Sequence, residues 1–307
     1  MVVGTSPQFF TVCAAWLVSA LKRRPFVFEL RDLWPESIKV VGAMRDSTML
    51  RILERMELLL YRRAARIVAV THSFRAALVE RGIDGTKIDV VTNGVDISRF
   101  SPRPKDRSLE EALDLSGKFV VGYVGTHGMA HGLETLLVAA GRLEDLPEAQ
   151  HVRILFLGDG ADKARLRSEA NRRGLRNVLF LDSVGRDQVA RYWSILDASI
   201  IHLRRTELFT TVIPSKLFEC MSMGIPVVHG VAGESAEIVQ REGVGLVFEP
   251  ENADALVSAL LRFTTDEALR RDCRVQGPIA ARKYDRANLG RSMLSALEKS
   301  VETHRRT

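Results

Sequence analysis

The chain has 307 residues, 46% of them hydrophobic and 27% charged, proportions that indicate a globular chain of two domains. Its three cysteines, Cys13, Cys220 and Cys273, are far apart, which argues against a disulfide framework or a zinc site and favours a reducing cytoplasm. The longest apolar run, residues 9–21, is too short to span a bilayer, and its basic residues follow it, which argues against a signal peptide.

The net charge of +6 is unevenly distributed along the chain. Residues 1–100 contain 15 Lys/Arg against 10 Asp/Glu, a net +5. This asymmetry favours an acidic partner for the first third of the chain, such as an anionic membrane surface, a phosphorylated lipid or nucleic acid. A scattered basic surface without a specific partner is the alternative.

The first hundred residues alternate short β-rich runs with helical segments. The predicted strands are 2–5, which reads as the end of a strand, then 25–30, 67–70 and 88–91. Ser6-Pro7 resembles the cap of a helix that runs to about Leu21. We expect residues 1–100 to be the back half of a Rossmann-like domain whose front half is absent.

Residues 47–65 predict an amphipathic helix. The apolar positions are Leu50, Leu53, Met56, Leu60 and Ala64, and the basic positions of the other side are Arg51, Arg55, Arg62 and Arg63. Such a helix could lie at an anionic membrane interface. Alternatively, its leucines pack on a sheet and its arginines are solvated.

The polar, proline-bearing stretch that begins at residue 101 predicts a linker over 101–117. After it, strands are predicted at 119–123, 153–157, 178–181, 198–202, 226–229 and 245–248, with helices between them. This alternation predicts a parallel sheet covered on both faces, and six such units form a complete Rossmann-like domain over 118–275. Residues 276–307 are predicted as C-terminal helices.

Two glycine turns follow strands of this second domain. Gly125-Thr-His-Gly128 leaves the first strand and Gly158-Asp-Gly160 leaves the second. Such turns let backbone N–H groups approach a phosphate, but neither is the dinucleotide pattern G-x-G-x-x-G, and a purely structural turn explains each equally well. His127 could bind a sugar or a phosphate.

Residues 204–229 contain the strand-to-helix pattern that organises the prediction. Pro214 suits the first turn of a helix that Gly224 ends. Lys216 and Glu219, three residues apart, share one face at the helix start, where N–H groups and a partial positive charge suit a phosphate. The lysine adds positive charge and Glu219 can accept hydrogen bonds from sugar hydroxyls, as in a nucleotide-sugar site. The alternative is a solvated lysine that only pairs with Glu219.

The order of the motifs along the chain is more specific than any one motif. They are Asn93-Gly-Val-Asp96, Gly122-Tyr-Val-Gly125, Leu157-Gly-Asp-Gly160, Phe180-Leu-Asp-Ser-Val-Gly185, Pro214-Ser-Lys-Leu-Phe-Glu219 and Gly224-Ile-Pro-Val-Val228. This order resembles the retaining glycosyltransferases of family 4 over essentially the whole chain. The resemblance implies an α/β fold of the GT-B type, two Rossmann-like domains with parallel sheets facing a cleft, the first domain incomplete. The sequences at 31–36 and 125–128 resemble the subgroup that adds fucosamine-type amino-deoxy sugars to surface polysaccharides.

The resemblance implies how the donor's ribose and sugar are held. Glu219 matches the second glutamate of the family's E-x7-E pattern, which binds the ribose. The first glutamate falls at Thr211, a departure that puts the binding of the sugar hydroxyls in doubt. Glu207 or Thr210 could substitute.

The positions that lie near the donor diphosphate in the family also differ in this chain. Thr126 and His131 stand where the family usually has an arginine and a lysine. Charge compensation for the leaving nucleotide is therefore expected from Lys216 first, and from Arg204 or Arg205 second.

The resemblance also places Ser183-Val184 against the base and Asp32 in the cleft. Asp32 could orient or deprotonate the acceptor hydroxyl, or it could only cap a turn or pair with the preceding arginine. The predicted catalytic residues are Asp32, Lys216 and Glu219. The predicted donor-binding residues are Gly125, Thr126, His127, Gly128, Asp159, Ser183, Val184, Arg204, Thr211 and Ser215.

These arguments predict a cytoplasmic retaining glycosyltransferase, peripheral at the inner face of the plasma membrane through residues 47–65. It would transfer a sugar from a UDP-linked donor to a lipid-linked saccharide in O-antigen or capsule synthesis, with no nucleic-acid partner. No metal or other cofactor is expected, since no Asp-x-Asp pair stands at a suitable position. The alternatives are a UDP-sugar 2-epimerase of the same fold and a non-catalytic nucleotide-sugar-binding remnant. A nicotinamide dehydrogenase is disfavoured because no G-x-G-x-x-G turn exists.

Overall fold

The computed structural model describes residues 1–34 and 48–306, and these divide into two compact units. The first unit comprises Met1–Asn93 and Arg286–Thr307, and the second comprises Gly94–Asp285. Each unit contains one parallel sheet covered by helices. The predicted α/β class with two parallel sheets is confirmed.

The strands and helices alternate along the chain. The strands are β1 Val2–Thr5, β2 Phe26–Leu30, β3 Arg66–Ala69, β4 Ile88–Val90, β5 Phe119–Val124, β6 Val152–Leu157, β7 Val178–Leu181, β8 Ala198–His202, β9 Val227–Gly230 and β10 Gly245–Val247. The α-helices are α1 Phe9–Leu21, α2 Thr48–Arg63, α3 His72–Glu80, α4 Arg107–Ala112, α5 Glu134–Glu144, α6 Lys163–Arg172, α7 Val189–Ser194, α8 Lys216–Met223, α9 Glu234–Glu242, α10 Ala253–Thr265, α11 Glu267–Ala281 and α12 Arg286–Arg306. Short 3₁₀ helices lie at Gly85–Lys87, Met129–His131, Pro147–Ala149, Leu208–Thr211 and Arg282–Tyr284.

The first unit is a four-stranded parallel sheet in the order β1-β2-β3-β4. Alternate side chains of a strand face opposite sides, so β2 buries apolar groups on both. On one side, the Phe28 ring packs 4.7 Å from the Tyr61 ring of α2. On the other side, Val27 and Val68 pack against Ala296 of α12. The last helix of the chain therefore completes the core of the first unit.

This division differs from the one that the sequence predicts. The predicted C-terminal helices, 276–307, are divided between the units: α12 belongs to the first unit, and α11 belongs to the second. The predicted linker, 101–117, belongs to the second unit and contains α4. Within it, the Lys105 ammonium lies 2.9 Å from the Asp197 carboxylate, so this stretch is packed onto the second unit.

Helix α2 presents two apolar faces. Leu50 and Leu60 are buried in the first unit, as expected from their spacing. Met56 is not buried with them, because 41% of it is exposed. Exposed apolar side chains recur along α2 at Met49, Ile52, Met56 and Leu59.

The second unit is a six-stranded parallel sheet in the order β10-β9-β8-β5-β6-β7. Strand β5 is central, and its two faces enter different clusters: Val120 and Val124 pack with Trp193 and Phe218, whereas Tyr123 packs on the opposite face. Burial on both faces explains why these strands appear as continuous apolar runs in the sequence. Within residues 1–34 and 48–306, no helix is both long and apolar enough to cross a membrane.

Candidate functional site

The carboxyl ends of the parallel strands of the second unit meet at one edge of its sheet. After β5 the chain builds outwards through β6 and β7, then crosses to the other side of β5 to form β8. Ligands of such folds bind in the crevice outside this topological switch point. The predicted residues Gly125, Asp159, Ser183 and Arg204 follow β5, β6, β7 and β8 respectively, so the structure brings them to this edge.

The two glycine turns lock into one another, which fixes the floor of the site. Gly158 has φ +145°, and a Cβ there would lie 1.9 Å from the Gly125 carbonyl oxygen. Gly160 has φ +156°, and its Cβ would lie 2.4 Å from the His127 carbonyl oxygen. The His127 N–H also donates to the Asp159 carbonyl at 2.8 Å. Only glycine allows the two turns to approach so closely.

Lys216, the first residue of α8, points its ammonium into the switch point. Its Nζ lies 3.9 Å above the Tyr123 ring, and a Cβ on Gly125 would lie 2.8 Å from it. This Nζ is buried and has no hydrogen-bond partner among the residues that the structure describes. Burial lowers the pKa of Lys216 to about 8, against the opposing influence of Cys220 and Glu219. Buried charges in proteins are normally compensated, so this ammonium is a candidate ligand for an anion.

The first turn of α8 offers fewer free backbone N–H groups to an anion than its sequence suggests. The N–H of Leu217 donates to the Pro214 carbonyl at 3.0 Å, and that of Phe218 donates to the Ser215 carbonyl at 3.1 Å. Two first-turn amides are thus already bonded within the chain, and the exposed Ser215 side chain makes no cap bond. The Lys216 charge is the stronger anion-binding feature of this turn.

Glu219 is held by a residue that the sequence argument does not include. The Trp193 indole N–H donates to the Glu219 carboxylate at 3.3 Å, and Trp193 is fully buried in the core. A buried indole needs an acceptor for its N–H, and this was the signal that could have identified Trp193. The contact orients the Glu219 carboxylate one helical turn beyond Lys216.

The two arginines after β8, Arg204 and Arg205, differ in how well they are placed to bind a ligand. The Arg205 guanidinium is exposed and pairs with Glu249 at 2.6 Å. The Arg204 guanidinium pairs with Glu134 at 3.0 Å through Nη2, while its Nε is buried and has no partner in the described part of the chain. Arg204 is therefore the better placed of the two for a ligand.

Two histidines of the β5–α5 connection are held neutral. The His127 ring is 0% exposed, enclosed by the rings of Tyr123, Phe156 and Phe180 at 5.8, 6.0 and 6.4 Å. Burial, with the charges of two nearby lysines, lowers its pKa to about 4. His131 is partly exposed as a residue, but its Nδ1 is buried without a partner among the described residues. Burial lowers the pKa of its ring to about 4.

The threonines near the predicted sugar-binding position lie in the 3₁₀ helix Leu208–Thr211. The Thr211 hydroxyl donates to the Leu208 carbonyl at 2.6 Å, and the Thr210 hydroxyl donates to the Glu207 carbonyl at 2.6 Å. A Cβ on Gly233 would lie 2.0 Å from the Thr210 carbonyl oxygen, so this helix packs tightly against the start of α9. How the sugar hydroxyls are bound stays a prediction.

Four other donor-side predictions lie at the edge of the sheet. Thr126 and Ser183 are exposed, Gly128 is half-buried, and Val184 packs against the core. Their roles stay predictions. Among residues 1–34 and 48–306, no group of three or more His, Cys, Asp or Glu side chains is arranged to hold a metal ion.

Asp32 lies after β2 in the first unit, where Ser6 holds its backbone. The Ser6 hydroxyl accepts the N–H groups of Arg31 at 2.9 Å and Asp32 at 3.2 Å, and it donates to the Asp32 carbonyl at 3.1 Å. The expectation that Ser6 caps α1 is wrong, because the N-cap residue is Gln8, without a side-chain cap bond. Pro35 and Glu36 of the same motif lie outside the described residues.

Known proteins similar to this chain share this architecture. Anabaena HepE, solved in complex with UDP and glucose, superimposes with a TM-score of 0.81 at 21% identity, covering 96% of this chain and 77% of that one. WcaI of Escherichia coli, a glycosyl transferase named for colanic acid biosynthesis, is 24% identical over 270 residues, or 84% of this chain and 65% of WcaI. A GDP-mannose-dependent alpha-mannosyltransferase of Mycobacterium tuberculosis is 26% identical over 188 residues, or 61% and 45%. The matched regions thus span less than two thirds of these two relatives.

Two family models divide the chain between them. Residues 2–99 match the description Glycosyltransferase Family 4, and residues 105–278 match the description Glycosyl transferases group 1. The second match spans more than half of the chain and contains the whole of the switch-point site. The chain belongs to the family of group 1 glycosyl transferases.

Proposed function

We propose that the protein is a retaining glycosyltransferase that moves a sugar from a UDP-linked donor to a lipid-linked saccharide in surface-polysaccharide synthesis. The observation that carries the proposal is the buried Lys216 ammonium at the switch point of the second unit, which has no hydrogen-bond partner among the residues that the structure describes. Family membership supports sugar transfer as the reaction. The relatives named for colanic acid biosynthesis and for mannosyl transfer support a carbohydrate acceptor.

In the proposed reaction, the bond between the sugar C1 and the diphosphate breaks, and the acceptor oxygen forms the new bond to C1. The negative charge that develops on the diphosphate lies beside Lys216, where a preorganised cation in a dry site is most effective. Glu219, oriented by Trp193, accepts hydrogen bonds from the ribose hydroxyls. Asp32 is the proposed acceptor of the proton from the attacking hydroxyl. No metal ion is required in this scheme.

UDP is proposed as the nucleotide because HepE was solved with UDP and glucose. The mycobacterial relative is named as GDP-mannose-dependent, so GDP is the competing choice. We extend the proposal to an amino-deoxy sugar of the fucosamine type, on the motif at 31–36 and the turn Gly125–Gly128.

The lipid-linked acceptor calls for contact with a membrane, and α2 is the proposed contact at the inner, cytoplasmic face. Its exposed side chains Met49, Ile52, Met56 and Leu59 recur at helical spacing, and Arg51 and Arg55 are exposed beside them. An apolar stripe flanked by arginines suits an anionic interface. Co-sedimentation with phosphatidylglycerol vesicles tests this, and Ile52→Glu should reduce binding whereas no reduction would contradict it.

The donor proposal is tested by titrating UDP and GDP separately into the protein by calorimetry. Lys216→Met and Glu219→Gln should each weaken UDP binding at least about tenfold, since each removes a charged hydrogen-bonding group. Glu148→Gln is the matched control, because Glu148 is exposed on the 3₁₀ helix that leads to β6, away from the switch point. Binding of neither nucleotide by the folded protein would refute the proposal.

Turnover separates the enzyme from its alternatives. UDP release from a panel of UDP-sugars in the presence of lipid-linked saccharide is expected for a transferase. Epimerised free donor would instead identify a 2-epimerase. UDP binding without either reaction would identify a non-catalytic nucleotide-sugar-binding protein.

A further inference from the structure

His131 and Lys216 both lie against the ring of the buried Tyr123. His131 ends the 3₁₀ turn Met129–His131 that follows β5, and its ring centroid lies 5.9 Å from that of Tyr123. The Lys216 Nζ lies 3.9 Å above the same ring. Two buried nitrogens, His131 Nδ1 and Lys216 Nζ, have no partner within residues 1–34 and 48–306. Buried polar atoms without a partner in a native fold indicate a ligand or a functional role.

Hydrogen bonds of the neighbouring His202 fix the backbone of His131. The His202 Nδ1–H donates to the His131 carbonyl at 2.7 Å, and the Glu251 N–H donates to His202 Nε2 at 2.9 Å. Because Nε2 accepts a hydrogen bond, His202 is held as the neutral Nδ1–H tautomer. It could take up a proton only by losing its bond to Glu251.

The remaining buried histidines of the second unit are also poorly placed to receive a proton from a ligand site. His229 is 0% exposed, and its Nε2 lies 2.7 Å from the Ser235 hydroxyl. His127 is enclosed by three aromatic rings. Among these four residues, only His131 is partly exposed and also has a buried nitrogen without a partner in the described structure.

Burial and the charges that face His131 explain why its ring is neutral. Lys216 approaches from α8, His202 from β8 and His127 from the preceding turn. A Cβ on Gly132 would lie 3.2 Å from the Cγ of Arg204, whose guanidinium is paired with Glu134 at 3.0 Å. Burial first, and then the Lys216 charge, hold the pKa of His131 at about 4, so its ring is neutral at pH 7. An anion next to Lys216 would offset the lysine charge and favour the charged imidazolium.

We propose that His131 binds the donor diphosphate as an imidazolium and takes up one proton as the nucleotide enters. The inference rests on the proposed nucleotide-sugar function and adds to it a second cationic ligand that exists only in the complex. The proton comes from solvent and ends on the His131 ring. By linkage, UDP affinity falls about tenfold for each unit of rising pH, as long as the free ring is neutral and the bound ring is charged.

Proton uptake is measured by titrating UDP into the protein at pH 6.5, in two buffers of low and high ionisation enthalpy. At this pH Lys216, with a pKa of about 8, stays charged in the free protein. UDP has its own phosphate ionisation near about pH 6. The wild type and His131→Asn bind the same UDP, so the difference between their proton uptakes cancels this contribution.

The wild type should take up about one proton more per UDP than His131→Asn. His131→Lys should already be charged at pH 6.5 and should bind UDP without the additional proton. This variant replaces His131→Asn in the comparison if the asparagine variant does not fold. His151→Asn is the matched control, because His151 is exposed before β6, and it should behave as the wild type.

Each outcome decides the inference. Equal proton uptake in the wild type and the variants, with UDP bound, overturns the role of His131 and leaves the proposed function intact. Failure of the folded wild type to bind either UDP or GDP, titrated in the same way, overturns both.

Discussion

Replacing Lys216 with methionine should stabilise the empty protein and at the same time weaken nucleotide binding. Methionine matches the length of the lysine stem but removes the ammonium, which is buried and has no partner among the described residues. The two effects have opposite signs because burial of this charge costs the ligand-free protein more than its ring contact returns, whereas an anionic ligand is attracted to the charge.

The stability change can be estimated from the ionisation of the lysine. Burial lowers its pKa from 10.5 to about 8, and at about 1.4 kcal/mol per pKa unit the charged form is disfavoured by roughly 3 kcal/mol. The contact of Nζ with the Tyr123 ring at 3.9 Å returns about 1–2 kcal/mol as a cation–π interaction. A net gain of about 1–2 kcal/mol remains, which raises the melting temperature by about 2–8 °C in a domain of this size.

The gain should also depend on pH with a defined sign. Since the pKa of Lys216 is lower in the folded than in the unfolded state, the unfolded state binds the additional proton between pH 8 and 10.5. The wild type therefore gains stability as the pH rises through this window, and the advantage of Lys216→Met shrinks. Urea denaturation at pH 7 and pH 10 measures this difference.

Lys216→Met should weaken UDP binding by roughly 10- to 150-fold. This loss is equivalent to about 1.5–3 kcal/mol, the contribution of a hydrogen bond to a charged group. Lys163→Met is the contrasting control, because the Lys163 ammonium bonds the Gly158 and Leu181 carbonyls at 2.8 and 3.1 Å and the Asp182 carboxylate at 2.6 Å. That variant should melt at a lower temperature. If Lys216→Met melts below the wild type as well, the lysine has a partner in the free protein and the reasoning fails.

Three further predictions concern the turns, the tryptophan and the buried histidines. In urea denaturation, Gly158→Ala should destabilise the protein by more than about 3 kcal/mol, because its Cβ would lie 1.9 Å from a backbone carbonyl oxygen. The control is Gly174→Ala, where φ is +70° and the space around the Cβ is open, and it should cost about 1 kcal/mol. Trp193→Phe should weaken UDP binding about 2- to 10-fold in calorimetry by removing the N–H that orients Glu219, and unchanged affinity would show that this bond is dispensable. Burial holds the pKa of His229 at about 3, so the unfolded state binds the additional proton below pH 6.5. The free energy of unfolding should therefore fall by roughly 1.4 kcal/mol per pH unit below pH 6.5. In thermal melts, His229→Gln should lose less stability than the wild type as the pH falls.

The local pattern of the sequence determined the strands and helices, and the edge of the sheet at which the predicted site residues lie. Apolar β-rich runs alternating with helical segments predicted every strand of both parallel sheets, and the observed bounds of β7 and β8 are those predicted. The same patterns placed Gly125, Asp159, Ser183 and Arg204 after successive strands. These inferences succeed because side-chain periodicity and turn chemistry act within a few residues of the chain.

Only the tertiary structure decided which of these residues form a site and in what state. It placed β5 between β8 and β6, which creates the switch point, and it joined Trp193 to Glu219 across 26 residues of sequence. It also paired Arg205 with Glu249 but left Lys216 Nζ buried and unpaired among the described residues. Strand order, pairing and burial depend on contacts between segments distant in the chain, and no local pattern of residues encodes them.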